Sequence, residues 1–254
     1  MKKVNVIGIM GAMPEEIDGL IHLLTDISSQ EFGKRVYYSG FANGVKYVIV
    51  FSRWGKVAAA TTITTLIHEF GVSEILFIGV AGAIHPALHI GDVVLAKRLI
   101  QHDLNGAPLV PRFEIPLLGQ SYLTMDDRTL DKAEVAITDF LKPENLDMYL
   151  SKEELIRFNM VSPQLWIGDI ASGDQFISKE SARQEITENL PGVLCVEMEG
   201  AAVAQVCYEY GIALTVIRTI SDVANGDSEI DFPAFIQRVS RKYSVGIVQQ
   251  LFGI

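Results

Sequence analysis

Short apolar runs alternate with helical patterns along most of the chain. The strand-like runs cover residues 4–10, 36–41, 46–51, 74–78, 92–99, 166–171, 193–196 and 213–220. Apolar residues at three- and four-residue spacing, which is typical of helices, cover residues 14–24, 56–70, 126–141, 179–189, 199–210 and 231–252. Strands that alternate with helices in this way predict a layered α/β domain.

Turn and cap residues locate several boundaries. Pro14 suits the first turn of a helix, and Glu15 and Glu16 place negative charge at its amino terminus. Asn43-Gly44 lies between two apolar runs and predicts a hairpin, so the sheet contains an antiparallel pair and is mixed. Residues 105–119 are rich in proline and glycine, which predicts an irregular loop with a functional or interface role.

The bulk composition restricts the class of protein. The 254 residues are 49% hydrophobic with a mean hydropathy of +0.26, which predicts a substantial core. The length fits one large domain or two small ones, and since no domain linker is seen, a single domain over residues 1–254 is predicted. A net charge of −10 argues against nucleic acid or an anionic membrane as the partner. No apolar run approaches the ~20 residues of a membrane span.

The cysteines and the first residues bear on localisation. Cys195 and Cys207 fall in a strand-like and a helix-like segment, so no disulfide is predicted and a reducing cytoplasm fits. Neither thiol is predicted to bind a metal. Residues 1–13 superficially resemble a secretory signal, but Pro14-Glu15-Glu16 makes a poor cleavage region, and a first β-strand is favoured.

Two acids lie on either side of a methionine in Val196-Glu197-Met198-Glu199-Gly200, at the end of an apolar run. The carboxyl end of a buried strand is where open α/β sheets bind their ligands. A buried carboxylate is costly unless it is hydrogen-bonded. A polyhydroxylated ligand such as a sugar would supply those hydrogen bonds.

Four other segments run from an apolar strand into small or polar residues, and each has two interpretations. In residues 8–16, Glu16 either faces a ligand or only complements the helix dipole. The glycines of residues 77–83 allow close approach to a ligand or tight helix packing. Phe176 either stacks on a planar ring or joins the core. Asp222, within residues 218–225, is either a partly protonated acid facing a ligand or a turn cap.

Six segments in the same order resemble the bacterial 5′-methylthioadenosine/S-adenosylhomocysteine nucleosidases of the nucleoside phosphorylase superfamily. They are Gly11-Ala12-Met13-x-Glu15-Glu16, Gly55-Lys56-Val57, Gly79-Val80-Ala81-Gly82, Ser172-Gly173-Asp174-x-Phe176-Ile177, Val196-Glu197-Met198-Glu199 and Ile220-Ser221-Asp222. The resemblance spans roughly residues 4–235 and is more specific than any one segment. It implies a three-layer α/β/α fold with a central mixed twisted sheet, nucleoside phosphorylase-like.

The resemblance also implies the chemistry of the site. Glu16 would deprotonate the attacking water, Asp222 would donate a proton toward N7 of the leaving adenine, and Glu199 would bind the ribose hydroxyls. Glycosidic cleavage builds positive charge on the sugar, so it requires an acid, a base and nearby carboxylates. Glu16 and Asp222 come from distant segments, and unlike surroundings can keep one ionised and the other protonated.

Further substrate-binding residues follow from the same resemblance. Met13 and Met198 would line the ribose and its 5′ substituent. Phe176 would stack on adenine, and the Ile177 backbone would read the purine edge. No metal or organic cofactor is implied.

The remaining implied contacts concern the acids and the neighbouring subunit. Ser221 would orient Asp222, and Glu197 would lie close to the ribose as a further carboxylate. The expected assembly is a homodimer, in which Phe113 of the loop would help to cover the 5′ substituent at the neighbouring subunit's site. His102 is the histidine expected nearest the site, with a structural role favoured.

The sequence departs from the family pattern at three positions, which affects the 5′-substituent pocket. Val80 replaces a common serine, Trp54 a smaller aliphatic residue and Pro14 an acid. Phosphorolytic relatives carry an arginine in the turn after the first strand, where this chain has Glu15 and Glu16, so water is the expected nucleophile. The rivals are a futalosine-type or other purine nucleoside hydrolase, a phosphorylase and a non-catalytic nucleoside-binding dimer.

Overall fold

The computed structural model describes residues 5–222 and 232–254. Four sequence predictions lie partly or wholly outside those residues: the signal-like beginning, the start of the first strand at Val4, residues 223–225 of the last motif, and the start of the last helix at Asp231.

The described residues form strands and helices in the alternating order that the pattern predicts. The strands are β1 (Val6–Gly11), β2 (Thr25–Phe32), β3 (Arg35–Ala42), β4 (Val45–Phe51), β5 (Glu74–Ala83), β6 (Val93–Gln101), β7 (Tyr122–Thr124), β8 (Leu165–Ser172), β9 (Val193–Glu197) and β10 (Ala213–Asp222). The helices are α1 (Pro14–Ile21), α2 (Lys56–Phe70), α3 (Asp127–Phe140), α4 (Pro143–Leu146), α5 (Lys152–Arg157), α6 (Glu180–Asn189), α7 (Gly200–Tyr210), α8 (Phe232–Phe235) and α9 (Arg241–Phe252). A π-helical turn, Ile236–Ser240, joins α8 to α9.

All ten described strands belong to one mixed sheet, which confirms the predicted fold class. Along the sheet the order is β10-β6-β8-β9-β5-β1-β4-β3-β2, and β7 pairs with β6. Strand β10 also pairs in parallel with β5, so five strands close into a ring: β5, β10, β6, β8 and β9. Strands β1, β4, β3 and β2 extend from β5 in that order as an open sheet.

The predicted hairpin is confirmed. Ala42 pairs with Val45 in the antiparallel ladder of β3 and β4, and the two residues between them have positive φ, 48° for Asn43 and 75° for Gly44. This is the geometry of a two-residue hairpin turn, which Asn-Gly adopts readily.

The core lies on both sides of the sheet. Ile9, Met10, Val48, Ile63 and Phe77 are completely or almost completely buried in it. No helix within the described residues is both long enough and apolar enough to cross a membrane.

Candidate active site

A cavity of about 360 Å³ lies where β1, β5, β9 and β10 end. Ten of the eleven residues predicted to form the site line this cavity. They are Met13, Glu16, Val80, Phe176, Ile177, Glu197, Met198, Glu199, Ser221 and Asp222. The exception is Phe113, which lines a second cavity of about 210 Å³.

Glu16 is buried at the amino end of α1 and is surrounded by backbone donors. Its Oε2 accepts hydrogen bonds from the N–H groups of Ala12 at 2.6 Å and Met13 at 3.0 Å, and its Oε1 accepts one from Val80 at 3.1 Å. Burial raises the pKa of Glu16, whereas the Arg218 guanidinium and the three N–H donors act in the opposite direction. The carboxylate therefore both caps the helix and faces the cavity.

A glycine permits that arrangement. A Cβ at Gly79 would lie 2.6 Å from Oε1 of Glu16, a distance that real Cβ atoms do not show. A side chain at this position would therefore displace either the carboxylate of Glu16 or strand β5. The sequence allowed two reasons for this glycine, close approach to a ligand or tight helix packing. The structure shows a third reason, which is close approach to the side chain of Glu16.

Glu199 lies immediately before α7 and is 4% exposed. Its Oε1 accepts a hydrogen bond of 2.7 Å from the N–H of Gly55, a residue whose φ of 92° favours glycine. Burial and the neighbouring carboxylate of Glu197 raise the pKa of Glu199 to about 8. Sugar hydroxyls that donate hydrogen bonds to this carboxyl group would favour its ionised form and lower its pKa.

Glu197 differs from Glu199 because other groups of the protein surround its carboxylate. It accepts hydrogen bonds from the Ser172 hydroxyl, from the N–H of Glu199 at 3.1 Å and from the N–H of Gly200 at 2.8 Å. It also forms an ion pair of 2.8 Å with Arg218. With these partners, Glu197 is a structural acid that neutralises a cation beside the cavity.

Arg218, which lies beside these acids, is not among the site residues predicted from the sequence. Its side chain is 1% exposed, and its guanidinium lies 3.9 Å from the centroid of the Phe77 ring. A signal was available, because an arginine in the middle of the apolar run of β10 has to be paired if it is buried.

Asp222 ends β10 with its side chain 29% exposed. Its Oδ1 lies 3.1 Å from the Ser221 hydroxyl, and its Oδ2 accepts a hydrogen bond of 2.9 Å from Arg183. The register of β10 against β5 shifts between Ile220 and Asp222, so Asp222 lies opposite Gly82. This irregularity turns the carboxylate toward the cavity.

Phe176 is 67% exposed at the cavity, so its alternative placement in the core is wrong. Its ring lies edge-to-face with that of Phe232, with the centroids 6.5 Å apart. Trp54, also on the lining, is 64% exposed and additionally lines a third cavity of about 620 Å³. Exposed aromatic rings around a concave surface suit a planar ligand.

The second cavity is adjacent to the first, and Gln175 and Ile177 line both. His102 lines it with its Nε2 buried and without a hydrogen-bond partner among the described residues. Burial lowers the pKa of His102. The histidine therefore packs against the segment that carries the site and does not line the first cavity.

The chain is similar to known proteins over almost its whole length. A family model described as "Phosphorylase superfamily" matches residues 6–250. The chain is 32% identical to a 5′-methylthioadenosine/S-adenosylhomocysteine nucleosidase of Staphylococcus aureus, over 92% of this chain and 94% of the relative.

Solved structures of similar proteins cover nearly the whole chain. The S-adenosylhomocysteine nucleosidase of Streptococcus pyogenes in complex with 5-methylthiotubericidin has a TM-score of 0.82 at 29% identity, covering 99% of this chain and 97% of that one. The futalosine hydrolase of Helicobacter pylori also has a TM-score of 0.82, at 28% identity and 99% coverage of both chains.

Proposed function

Because the chain belongs to the phosphorylase superfamily, and within it to the 5′-methylthioadenosine/S-adenosylhomocysteine nucleosidases, we propose that it hydrolyses the N-glycosidic bond of these two nucleosides. The products are adenine and a 5-thioribose. The observation that carries this proposal is the presence of Glu16 and Asp222 on one cavity in unlike surroundings. Backbone N–H groups surround the first, and a hydroxyl and a guanidinium contact the second.

The two acids have different tasks in this reaction. As the bond from C1′ to N9 breaks, its electron pair moves to the base, and Asp222 gives its proton to N7. Water adds to the sugar carbon and loses a proton to Glu16. Glu199 binds the ribose hydroxyls. Once Glu199 is ionised, its negative charge stabilises the positive charge that develops on the sugar.

The other lining residues bind the substrate. Phe176 stacks on the adenine and the Ile177 backbone reads its edge, while Ser221 orients the proton donor. Met13 and Met198 contact the ribose and its 5′ substituent, next to Val80. Their presence on the cavity supports these roles.

The distribution of charge favours water over phosphate as the nucleophile. Among the described residues that line the cavity, Arg218 is the one cation, and its partner is Glu197 at 2.8 Å. A phosphate would meet the carboxylates of Glu16 and Glu199 without a free arginine to neutralise it. A hydrolase is therefore favoured over a phosphorylase.

We further infer a homodimer of single-domain subunits in the cytoplasm, with a role in methionine salvage and the removal of S-adenosylhomocysteine. In the dimer Phe113 would cover the 5′-substituent pocket of the neighbouring subunit. Two leucines of the same loop support an interface there, since Leu109 is 92% exposed and Leu117 is fully exposed. Light scattering of the wild type and of Leu117→Asp tests this assembly, and a monomeric wild type would refute it.

An adenine-release assay with and without phosphate tests the activity. Methylthioadenosine and S-adenosylhomocysteine should be hydrolysed without added phosphate, and faster than aminodeoxyfutalosine. Glu16→Gln should abolish most turnover, whereas Glu15→Gln, the neighbouring acid, should retain it. Asp222→Asn should lose turnover but still bind nucleoside. Phosphate dependence, faster turnover of the futalosine compound, or a fully active Glu16→Gln would refute the assignment.

A further inference from the structure

Arg183 contacts the proposed proton donor from an element with no other role in the reaction. It lies in the first turns of α6, and its guanidinium bonds to Oδ2 of Asp222 at 2.9 Å. The arginine side chain is only 9% exposed. A second nitrogen of the same guanidinium donates to the carbonyl oxygen of Ala83, at the end of β5, at 3.3 Å.

We propose that Arg183 is a positioning residue that fixes Oδ2 of Asp222 and thereby assigns the catalytic proton to Oδ1. This inference rests on the proposed nucleosidase function. A guanidinium only donates hydrogen bonds, so the oxygen that it contacts cannot also present a proton toward it. The other oxygen, Oδ1, is left to carry the proton.

The surroundings of Oδ1 are suited to both states of the acid. The Ser221 hydroxyl lies 3.1 Å from Oδ1 and 3.4 Å from the carbonyl oxygen of Ala81. When its single hydrogen points to Ala81, the hydroxyl donates nothing to Oδ1, which can then carry the proton. After the proton has moved to N7, the same hydrogen can turn toward the carboxylate.

Arg183 also favours the product side of the proton transfer. Protonated Asp222 is neutral, and it becomes a carboxylate when N7 takes the proton and the glycosidic electron pair moves to the base. A nearby guanidinium stabilises that carboxylate by a charge-assisted hydrogen bond. The hydrogen bond from Arg183 to Ala83 keeps the guanidinium in place before and after the proton transfer.

Arg183 is close in sequence to the residues proposed to bind the adenine. Helix α6 follows directly after the segment that contains Phe176 and Ile177. The residue that orients the acid and the residues proposed to bind the adenine are therefore carried by consecutive parts of the chain. Asp222 is thus oriented relative to the adenine that it must protonate.

The test compares two leaving groups. Adenine needs a proton to depart, whereas the 4-nitrophenolate of 4-nitrophenyl 5-methylthioriboside does not. Arg183→Met should lower kcat for methylthioadenosine by about 10- to 100-fold, a part of what a general acid contributes, with KM changed by less than about twofold. Hydrolysis of the nitrophenyl riboside should stay within about threefold of wild type, because that leaving group bypasses the acid.

Conservative and double variants separate positioning from folding. Arg183→Lys keeps one cationic donor and should recover part of the lost kcat. Combining Arg183→Met with Asp222→Asn should be no worse than Asp222→Asn alone, because both act through one proton. Gln184→Ala, on the next residue of α6, is the matched control and should behave as wild type.

Several outcomes would overturn the inference. Equal losses on the two substrates, a loss confined to KM, an unchanged kcat in Arg183→Met, or additive losses in the double variant would each assign Arg183 a structural role. In these cases the wild type still releases adenine, so the proposed function survives. A wild type that released no adenine from methylthioadenosine would refute both.

Discussion

Replacing Arg218 with methionine tests how the cluster of acids beside the cavity is stabilised. The arginine and its partner Glu197 are 1% and 3% exposed, and their charged atoms are 2.8 Å apart. Methionine replaces the aliphatic part of the arginine side chain and carries no charge. Arg218→Met therefore leaves the carboxylate of Glu197 buried without its cation.

The expected cost follows from what remains around Glu197. Removing one partner of a buried ion pair costs about 3–5 kcal/mol. Three donors persist, the Ser172 hydroxyl and the N–H groups of Glu199 and Gly200, so we expect a value near the lower end, about 3 kcal/mol. For a chain of this size that corresponds to a fall in Tm of about 6–12 °C.

The coupling between the two residues sharpens the prediction. Glu197→Gln should also destabilise, because it leaves the guanidinium unpaired. The double variant removes both charges of this pair, so its loss should be smaller than the sum of the single losses by about 2 kcal/mol or more.

Thermal and urea unfolding at a fixed protein concentration measure these differences, since the stability of an oligomer depends on concentration. Arg128→Met is the control, because it breaks an exposed contact of 3.3 Å with Asp126 and should leave Tm nearly unchanged. A fall of less than about 2 °C for Arg218→Met, or strict additivity in the double variant, would show that the reasoning about this pair is wrong.

Three further predictions concern the lining of the cavity. The pKa of Glu199 is raised from 4.5 to about 8, so the folded state binds its proton more tightly than the unfolded state does. The stability of the wild type, measured as the urea midpoint, should therefore fall as the pH rises from 4.5 to about 8, and Glu199→Gln should reduce that fall. Gly79→Ala places a Cβ 2.6 Å from Glu16 and should lower kcat in the adenine-release assay, and a normal kcat would contradict the proposed base. Phe176→Ala should raise KM for methylthioadenosine by about 5-fold or more without lowering Tm, because its ring is exposed; an unchanged KM would argue against stacking.

Elements with strong local signals were predictable from sequence. The helix predicted over residues 56–70 has those bounds, because Gly55 and Gly71 at its ends both adopt positive φ. The Asn43-Gly44 turn fixed the hairpin for a similar reason. In such cases the local backbone preference agrees with the final packing.

Three structural elements without a strong local sequence signal were not predicted. Strand β2 is almost entirely exposed and polar, so its pairing with β3 gives no apolar alternation. The three residues of β7 are ordered by pairing with β6. The helix predicted over residues 231–252 is divided by the π-helical turn at Ile236–Ser240, which the apolar spacing did not indicate.

The candidate site shows the same division. Most residues of the site were predictable, because the motifs place them at or just after strand ends, and ten of the eleven line one cavity. The arginines were not predicted, since nothing in the sequence indicates which acid each one meets. Arg218 and Glu197 are 21 residues apart, and Arg183 and Asp222 are 39 apart. These ion pairs depend on how distant segments pack in the folded chain.

The ring closed by β10 has a consequence for synthesis on the ribosome. Strand β5 emerges early, but its partner β10 follows on the order of ten seconds later at typical translation rates. Until then β5 can pair with β1, which is made earlier, but not with β10, and Glu16 and Glu197 lack the cation of Arg218. The nascent chain therefore exposes one edge of an apolar strand until β10 has been made.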